Sequence, residues 1–153
     1  MERTTEPMVL ELMVPGSPEE LKTWWTDLPE TYEAEDPREQ PHAITLMETR
    51  EDSRVYDTVW RGPLGIPVHL KEILYDEGPG RWRFVVPNPG FVIEDRYTAE
   101  AHPEGTKLTI RSTITYESWL GRLTRPLMLP GWRDTLRDTF STAATIYTEE
   151  RQA

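Results

Sequence analysis

From His42 to Glu117 the hydrophobic pattern repeats every second residue, and this period constrains the fold more than any other feature of the chain. Six runs of strand type follow one another: HAITLMETR, RVYDTVWR, VHLKEILYD, RWRFVV, FVIEDRYTAEA and TKLTIRSTITYE. The segments between them are short and rich in Gly, Pro and acidic residues, as turns are. Parallel neighbours would need long crossover connections, which these segments cannot provide. The sequence therefore predicts an antiparallel meander.

Further elements flank the meander. Residues Met8 to Val14 form an apolar strand candidate, and a helix signal follows: Ser17 as cap, Pro18 at the first helical position and Glu20 completing a capping box. At the other end, apolar residues at helical spacing predict a long helix over roughly Gly131 to Glu150. The predicted fold class is α+β, with a curved antiparallel sheet of about seven strands and a long C-terminal helix over its apolar face.

Length, charge and composition limit the functions that are possible. A chain of 153 residues predicts a single domain spanning residues 1–153. The formal net charge of −10 argues against binding nucleic acid through its phosphates. The absence of cysteine excludes disulfides and fits a reducing compartment. The N-terminus has no signal-peptide pattern, and no apolar run approaches the roughly 20 residues that span a bilayer. We expect a soluble, cytoplasmic protein.

The sequence contains no pattern that is typical of a metal or cofactor site. Its three histidines, His42, His69 and His102, lack metal-ligand spacing. Neither a nucleophile-elbow, a P-loop nor a dinucleotide-binding glycine pattern occurs. We therefore expect neither a metal nor a cofactor. The Pro- and acid-rich stretch Thr31 to Pro41 is predicted to be a surface connection.

Three segments carry a resemblance to a known family. They are MVLELMVPGSPEELKTWWTD, HPEGTKLTI and the long terminal helix with its acidic end. In these segments the chain resembles the START-like helix-grip (SRPBCC) superfamily, in particular its polyketide cyclase/dehydrase and lipid-transport branch. The resemblance implies a helix-grip fold with a cavity between the sheet and the last helix. That family has no shared catalytic residue set, so the resemblance implies no catalytic position.

The alternation along the last hairpin predicts which side chains face inward. On the last strand the inward set is Leu108, Ile110, Ser112, Ile114 and Tyr116, and on the strand before it Phe91, Ile93, Asp95, Tyr97 and Ala99. If Ala99 pairs with Leu108, Asp95 falls opposite Ser112, whose hydroxyl supplies the donor that a buried carboxylate needs. The same alternation predicts the inward-facing residues of the two preceding strands, VHLKEILYD and RWRFVV. They are Leu70, Glu72, Leu74, Trp82, Phe84 and Val86.

Two inward carboxylates, Glu72 and Asp95, are therefore the candidate catalytic residues. Glu72 is expected across from Phe84 and Ile93, one inward step from Asp95. Two strand spacings and a two-residue offset put the two Cα atoms roughly 12 Å apart, which allows a substrate between the carboxylates but not direct pairing. The alternative is a structural role, with each acid hydrogen-bonded to Ser, Tyr or water.

The run WLGRLTRPLMLPGW, Trp119 to Trp132, is predicted to close one end of the barrel. Alternate loops of a meander share one end, so this run meets the loops that hold Leu64, Ile66 and Phe91. We interpret it as a pocket lid that gates the cavity together with Leu64 and Ile66. The alternatives are a fixed apolar plug and a transient contact with a membrane surface.

The leading functional hypothesis is the binding, for transport or sequestration, of a hydrophobic or aromatic small molecule such as a lipid, an isoprenoid quinone or a polyketide. Two alternatives stay open: a cyclase or dehydratase that uses Asp95 or Glu72 to move a proton, and a protein-partner module with a filled core. The predicted ligand-binding residues are Trp60, Glu72, Trp82, Phe84, Phe91, Asp95, Tyr97, Ser112, Tyr116, Leu123, Leu127 and Phe140.

Overall fold

The structure, a computed structural model, describes residues 3–4, 7–36, 38, 41–61, 63–88, 90–116 and 132–153. In this part of the chain, strands and helices occur in the predicted order, with two short strands added. The strands are β1 (Arg3–Thr4), β2 (Met8–Val14), β3 (Thr31–Glu33), β4 (Ala43–Thr49), β5 (Ser53–Arg61), β6 (Pro67–Asp76), β7 (Arg81–Asn88), β8 (Phe91–His102) and β9 (Gly105–Tyr116), and the helices are α1 (Pro18–Thr26) and α2 (Trp132–Gln152).

The strands form one antiparallel sheet in the order β1-β9-β8-β7-β6-β5-β4-β3, and β2 also pairs with β9. Strand β1 pairs with Thr115 and Tyr116 of β9, and β2 pairs with the stretch of β9 from Thr106 to Ser112. These two strands therefore lie one after the other along the same edge of β9. The sheet is therefore eight strands wide, and the prediction of about seven is corrected. The additional position is β3, which pairs with β4 inside the stretch predicted to be a surface connection. A three-residue edge strand is too short to show a period, and only its pairing with β4 reveals it.

Helix α1 begins as its capping residues predict. Ser17 has an extended backbone, and its side chain accepts a hydrogen bond of 3.2 Å from the backbone N–H of Glu20. Pro18 occupies the first turn, where its missing N–H costs nothing. The helix buries Leu21 completely and packs Trp24 and Trp25 against the core. It thereby covers one end of the inner face of the sheet.

Helix α2 matches its predicted range closely and packs along the same inner face. Among its described side chains, Phe140, Ala144 and Tyr147 are buried. The Tyr147 hydroxyl donates a 3.1 Å hydrogen bond to the backbone carbonyl of Pro15, and the Tyr147 ring centroid lies 5.4 Å from that of Trp24. These contacts tie the last helix to the junction of β2 and α1. Among the helices of the described residues, none is both long and apolar enough to cross a membrane.

Candidate functional site on the inner face of the sheet

The register of the strands arranges the inner-facing side chains in rows that run across the sheet. The prediction that Ala99 pairs with Leu108 and Asp95 with Ser112 is confirmed. Four rows follow one another from the α1 end to the opposite end of the sheet. The first contains Trp82, Tyr97 and Ile110, and the second contains Phe84, Asp95 and Ser112. The third contains Val86, Ile93 and Ile114, and the last contains Asn88, Phe91 and Tyr116.

The row nearest α1 belongs to a packed aromatic cluster. Trp82 is 0% exposed and Tyr97 4%, and their rings are stacked, with centroids 5.1 Å apart and planes 7° from parallel. Trp25 of α1, Phe84 and Phe140 of α2 each have a ring centroid within 6 Å of that of Tyr97. Four predicted ligand-binding residues, Trp82, Phe84, Tyr97 and Phe140, therefore belong to this cluster, which fills the α1 end of the inner face.

The next row holds a carboxylate whose ionisation is disturbed by burial. Asp95 is partly buried between Phe84 and Ser112 in the register, and the Ser112 hydroxyl donates a hydrogen bond to its Oδ1. Burial raises the pKa of Asp95 from 3.8 to about 6, against the lowering effect of this hydrogen bond; the negative charges of Glu72 and Glu94 add to the increase. No lysine or arginine in the described part of the chain forms an ion pair with Asp95. Asp95 can therefore take up or release a proton near neutral pH.

The second carboxylate, Glu72, lies in a separate polar group on β5 and β6. The Trp60 indole N–H donates a 2.9 Å hydrogen bond to the Thr58 hydroxyl, which in turn donates a 3.3 Å hydrogen bond to the backbone carbonyl of Leu70. Burial raises the pKa of Glu72, and the nearby Thr58 hydroxyl partly offsets the increase. Tyr56 pairs directly with Glu72 across the two strands, and its buried hydroxyl has no hydrogen-bond partner among the described residues. This group therefore retains hydrogen-bonding capacity that a ligand could use.

The two carboxylates are related much as the sequence predicts, but one cross-strand partner is wrong. Phe84 pairs with Leu74 and Asp95, not with Glu72. Asp76 pairs with Trp82, and backbone hydrogen bonds of the turn between β6 and β7 set this register. Continuing the register places Glu72 level with Val86 and Ile93, so its offset from Asp95 is the expected one. The charge of Glu72 raises the pKa of Asp95, so the two groups are electrostatically coupled without direct pairing.

Phe91 and Tyr116 lie at the end of the inner face that is farther from α1. Phe91 is partly buried and Tyr116 is 3% exposed, and the two are cross-strand partners. Leu123 and Leu127 fall outside the described residues, as does the whole of the proposed lid, Trp119 to Trp132, except Trp132. Of the loop that was expected to meet this lid, Leu64 is 98% exposed and Ile66 59%. The gating role of this loop remains a prediction.

Sequence analysis missed two residues of the inner face, Tyr56 and Thr58, and one helix residue that packs on it, Trp25. Tyr56 and Thr58 precede Trp60 at a spacing of two, so the alternation that assigns Trp60 also assigns them, and this signal was present in the sequence. Trp25 had a different signal, the helical period of α1, which indicated burial but not contact with Tyr97. The indole of Trp25 donates a hydrogen bond to the Tyr97 hydroxyl, which lowers the pKa of that hydroxyl. Burial and the nearby Asp95 raise the pKa by more, so the net shift is upward.

Comparison with known proteins shows the fold and not a family. No family model matches the chain, and no curated protein matches it either. Solved structures do match over nearly the whole chain. An uncharacterised protein from Rhizobium leguminosarum shares 12% identity over 98% of this chain and 99% of its own, with a TM-score of 0.64. Two di-domain ARO/CYC proteins also match, each over about half of its own length.

The first of these is StfQ from the steffimycin biosynthetic pathway, with 16% identity over 96% of this chain and 52% of its own, and a TM-score of 0.56. The second is BexL, with 13% identity over 96% of this chain and 49% of its own, and a TM-score of 0.57. At these identities the similarity is one of fold. It is consistent with the helix-grip architecture that the sequence segments implied.

Proposed function

We propose that this protein binds a largely apolar small molecule, of the aromatic polyketide or lipid type, on the inner face of its sheet. The observation that carries the proposal is Asp95, a carboxylate between Phe84 and Ser112 on the inner face, with one hydroxyl donor and no cationic partner among the described residues. A ligand pocket is typically apolar with a few placed polar groups. Asp95, Glu72 and Tyr56 are such groups here.

The extent of the site follows from the packing of the inner face. Because the aromatic cluster around Trp82 and Tyr97 fills the α1 end, the ligand occupies the rows from Asp95 toward Phe91 and Tyr116. A protonated Asp95 donates a hydrogen bond to a ligand carbonyl, and an ionised Asp95 accepts one from a ligand hydroxyl. A fused aromatic molecule with carbonyl and hydroxyl groups matches both possibilities. The ARO/CYC titles of two structural neighbours support this ligand class by analogy of fold.

Native mass spectrometry after incubation with a lipid and polyketide extract tests the proposal. We expect one bound molecule per chain, at lower occupancy in the Asp95→Asn variant. The matched control is Glu100→Gln, which removes an exposed carboxylate from the same strand and should leave occupancy unchanged. If the wild-type chain carries no adduct, or if both variants lose it equally, the proposed site is wrong.

A second function, proton transfer in a cyclisation or dehydration, is favoured by one observation. Asp95 has a pKa of about 6, which suits a general acid or base near neutral pH. In this case Asp95 moves the proton and Glu72, one row away, holds the opposite side of the substrate. The discriminating experiment is turnover of the bound molecule: a reaction that persists at the wild-type rate in both Asp95→Asn and Glu72→Gln excludes the enzymatic role and leaves binding alone.

A further inference from the structure

Strand β2 has one free edge. It pairs with β9 in an uninterrupted register from Met8 to Val14, and no other strand in the described part of the chain pairs with it. Pro7 and Pro15 flank the strand, but β2 itself contains neither a proline, a lysine nor a bulge. Natural sheets usually protect a long edge with such features, because an unprotected edge pairs readily with another chain. The edge of β2 is therefore a candidate surface for the addition of a strand.

The turn between β8 and β9 shows which backbone groups of β2 point to this edge. His102 pairs with Gly105 across a two-residue turn, so these two residues exchange both backbone hydrogen bonds. The pattern then alternates: odd-numbered residues of β9 bond to β8, and even-numbered ones bond to the even-numbered residues of β2. The backbone N–H and C=O groups of Val9, Glu11 and Met13 therefore point to the free edge. No described residue forms a hydrogen bond with them.

The side chains of β2 are mostly apolar and incompletely covered. Val9 and Met13, on the outer face, are 43% and 47% exposed. Leu10 and Leu12, on the inner face, pack against the core but are only partly buried. The one charged residue of the strand, Glu11, already forms an ion pair with a lysine of β9. A strand added at this edge would thus cover apolar surface on both faces of the sheet, which favours its binding.

A groove of about 310 Å³ lies between this edge and α2. Its lining residues are Leu12, Met13 and Val14 of the strand and Ser141, Ala144, Thr145, Thr148 and Glu149 of the helix. The hydroxyls of Thr145 and Thr148 donate hydrogen bonds of 3.0 and 2.8 Å to backbone carbonyls of α2, so their donors are used within the helix. An edge beside a groove offers main-chain hydrogen bonds and room for alternate side chains. This combination is how β-augmentation recognises an extended peptide.

The charge of the groove indicates the kind of peptide that fits. Glu149 is the charged residue among its described lining residues, and it forms no ion pair within the described part of the chain. It lies toward the Val14 end, because Tyr147 on the same turn of α2 bonds to the Pro15 carbonyl. A cation in the bound segment complements Glu149. A second copy of the chain would instead bring a net charge of −10 toward the same acid, which opposes self-association through this edge.

We infer that the free edge of β2 binds an extended peptide segment of a partner protein, with alternating apolar side chains and a lysine or arginine near one end. The segment adds a strand to the sheet and exchanges backbone hydrogen bonds with Val9, Glu11 and Met13. Every second side chain enters the groove against α2, and the basic residue pairs with Glu149. The inference does not depend on the proposed function of the inner face, because the groove shares no residue with that site.

Selection from a phage-displayed library of random heptapeptides on the immobilised full chain tests this site. We expect the enriched peptides to have alternating apolar residues and a lysine or arginine. An enriched peptide should bind the Thr145→Trp variant about tenfold more weakly, because the indole occupies the groove. Thr142→Trp is the matched control: it places the same side chain on an exposed part of α2 outside the groove and should leave affinity unchanged. Glu149→Gln should weaken binding by about two- to fivefold.

Methylation of the peptide backbone separates strand addition from docking by side chains alone. N-methylation of one alternating set of peptide amides should abolish binding, because these amides donate to β2. N-methylation of the other set should change affinity by about twofold or less. The inference is overturned if both sets weaken binding equally, or if no peptide is enriched on the wild-type chain relative to Thr145→Trp. It is also overturned if the chain forms dimers that Thr145→Trp disrupts, because a second copy would then occupy the edge.

Discussion

The Ser112 hydroxyl donates a hydrogen bond to the Asp95 carboxylate across the β8–β9 pair, on the inner face of the sheet. Ser112 is 0% exposed, so the bond is removed from competing water at its donor end. The bond lowers the pKa of Asp95, but burial raises it more, and the result is a pKa of about 6. Asp95 is therefore a carboxyl group poised between its two protonation states.

The first prediction concerns the pH dependence of stability. Since the pKa of Asp95 is about 6 in the folded chain and near 3.8 when unfolded, the folded state binds more protons between these values. The free energy of unfolding should therefore fall as pH rises through this window, by about 3 kcal/mol at most. Asp95→Asn mimics the neutral carboxyl and should abolish this loss. Urea denaturation at pH 4 and pH 8 should show the variant gaining about 2–3 kcal/mol relative to wild type.

The control for this measurement is Glu100→Gln on the same strand. Glu100 is exposed, so its replacement should change stability by about 0.5 kcal/mol or less at either pH. A difference between Asp95→Asn and wild type that stays constant from pH 4 to pH 8 would show that Asp95 ionises normally.

The second prediction concerns Ser112, the hydrogen-bond donor to Asp95. Ser112→Ala removes the hydrogen bond that favours the ionised form of Asp95, so the pKa of Asp95 should rise above its wild-type value of about 6. The variant should lose about 1–3 kcal/mol at pH 8. It should lose less at pH 4, where the bond is between neutral groups and is weaker. A carboxyl ¹³C titration measures the pKa directly, and an unchanged value in Ser112→Ala would contradict this account of the pair.

How far the sequence predicts this site depends on the kind of signal each residue carries. The pairing of Asp95 with Ser112 follows from alternation across a short turn, because a turn between adjacent strands fixes their register. The partner of Phe84 was wrong because the register between β6 and β7 is set by the backbone geometry of residues 77–80. Strand β3 carried no periodic signal at all.

The packing of the aromatic residues could not be obtained from the sequence either. Alternation indicates that Trp82 and Tyr97 face inward, but it does not distinguish a cavity wall from a filled core. That distinction depends on Trp25, which reaches these rings from a helix far away in the chain. The location of a pocket is a property of packing between elements, whereas alternation reports only the face of one element.

The third prediction concerns the turn before β7, where Gly80 has a φ of +66°. A Cβ at this position would lie 2.6 Å from the backbone oxygen of Ala99, which cannot move without breaking the sheet. Gly78 also has a positive φ but has open space around its Cβ direction. Gly78→Ala should therefore cost about 1 kcal/mol and Gly80→Ala clearly more. Thermal or urea unfolding of the two variants compares them, and equal losses would mean that the steric contact with Ala99 is unimportant.

The fourth prediction concerns the aromatic cluster. Trp82 is fully buried and stacked on Tyr97, so Trp82→Ala should destabilise the fold by about 3–5 kcal/mol. Met47 is 64% exposed, and Met47→Ala should cost about 0.5 kcal/mol or less. Urea denaturation measures both. If Trp82→Ala were tolerated as well as Met47→Ala, the α1 end of the inner face would be loosely filled, and the ligand site would extend into it.

The central claim, that a ligand lies on the inner face of the sheet between Asp95 and Tyr116, is tested most directly by methyl NMR during titration with a hydroxylated anthraquinone. Ile93 and Ile114 share the inner row next to Asp95, whereas Ile73 and Val85 are cross-strand partners on the opposite face. We expect saturable shifts for the methyl groups of Ile93 and Ile114, and unchanged signals for those of Ile73 and Val85. Shifts of equal size on both faces, or no shift on the inner face, would contradict the proposed site.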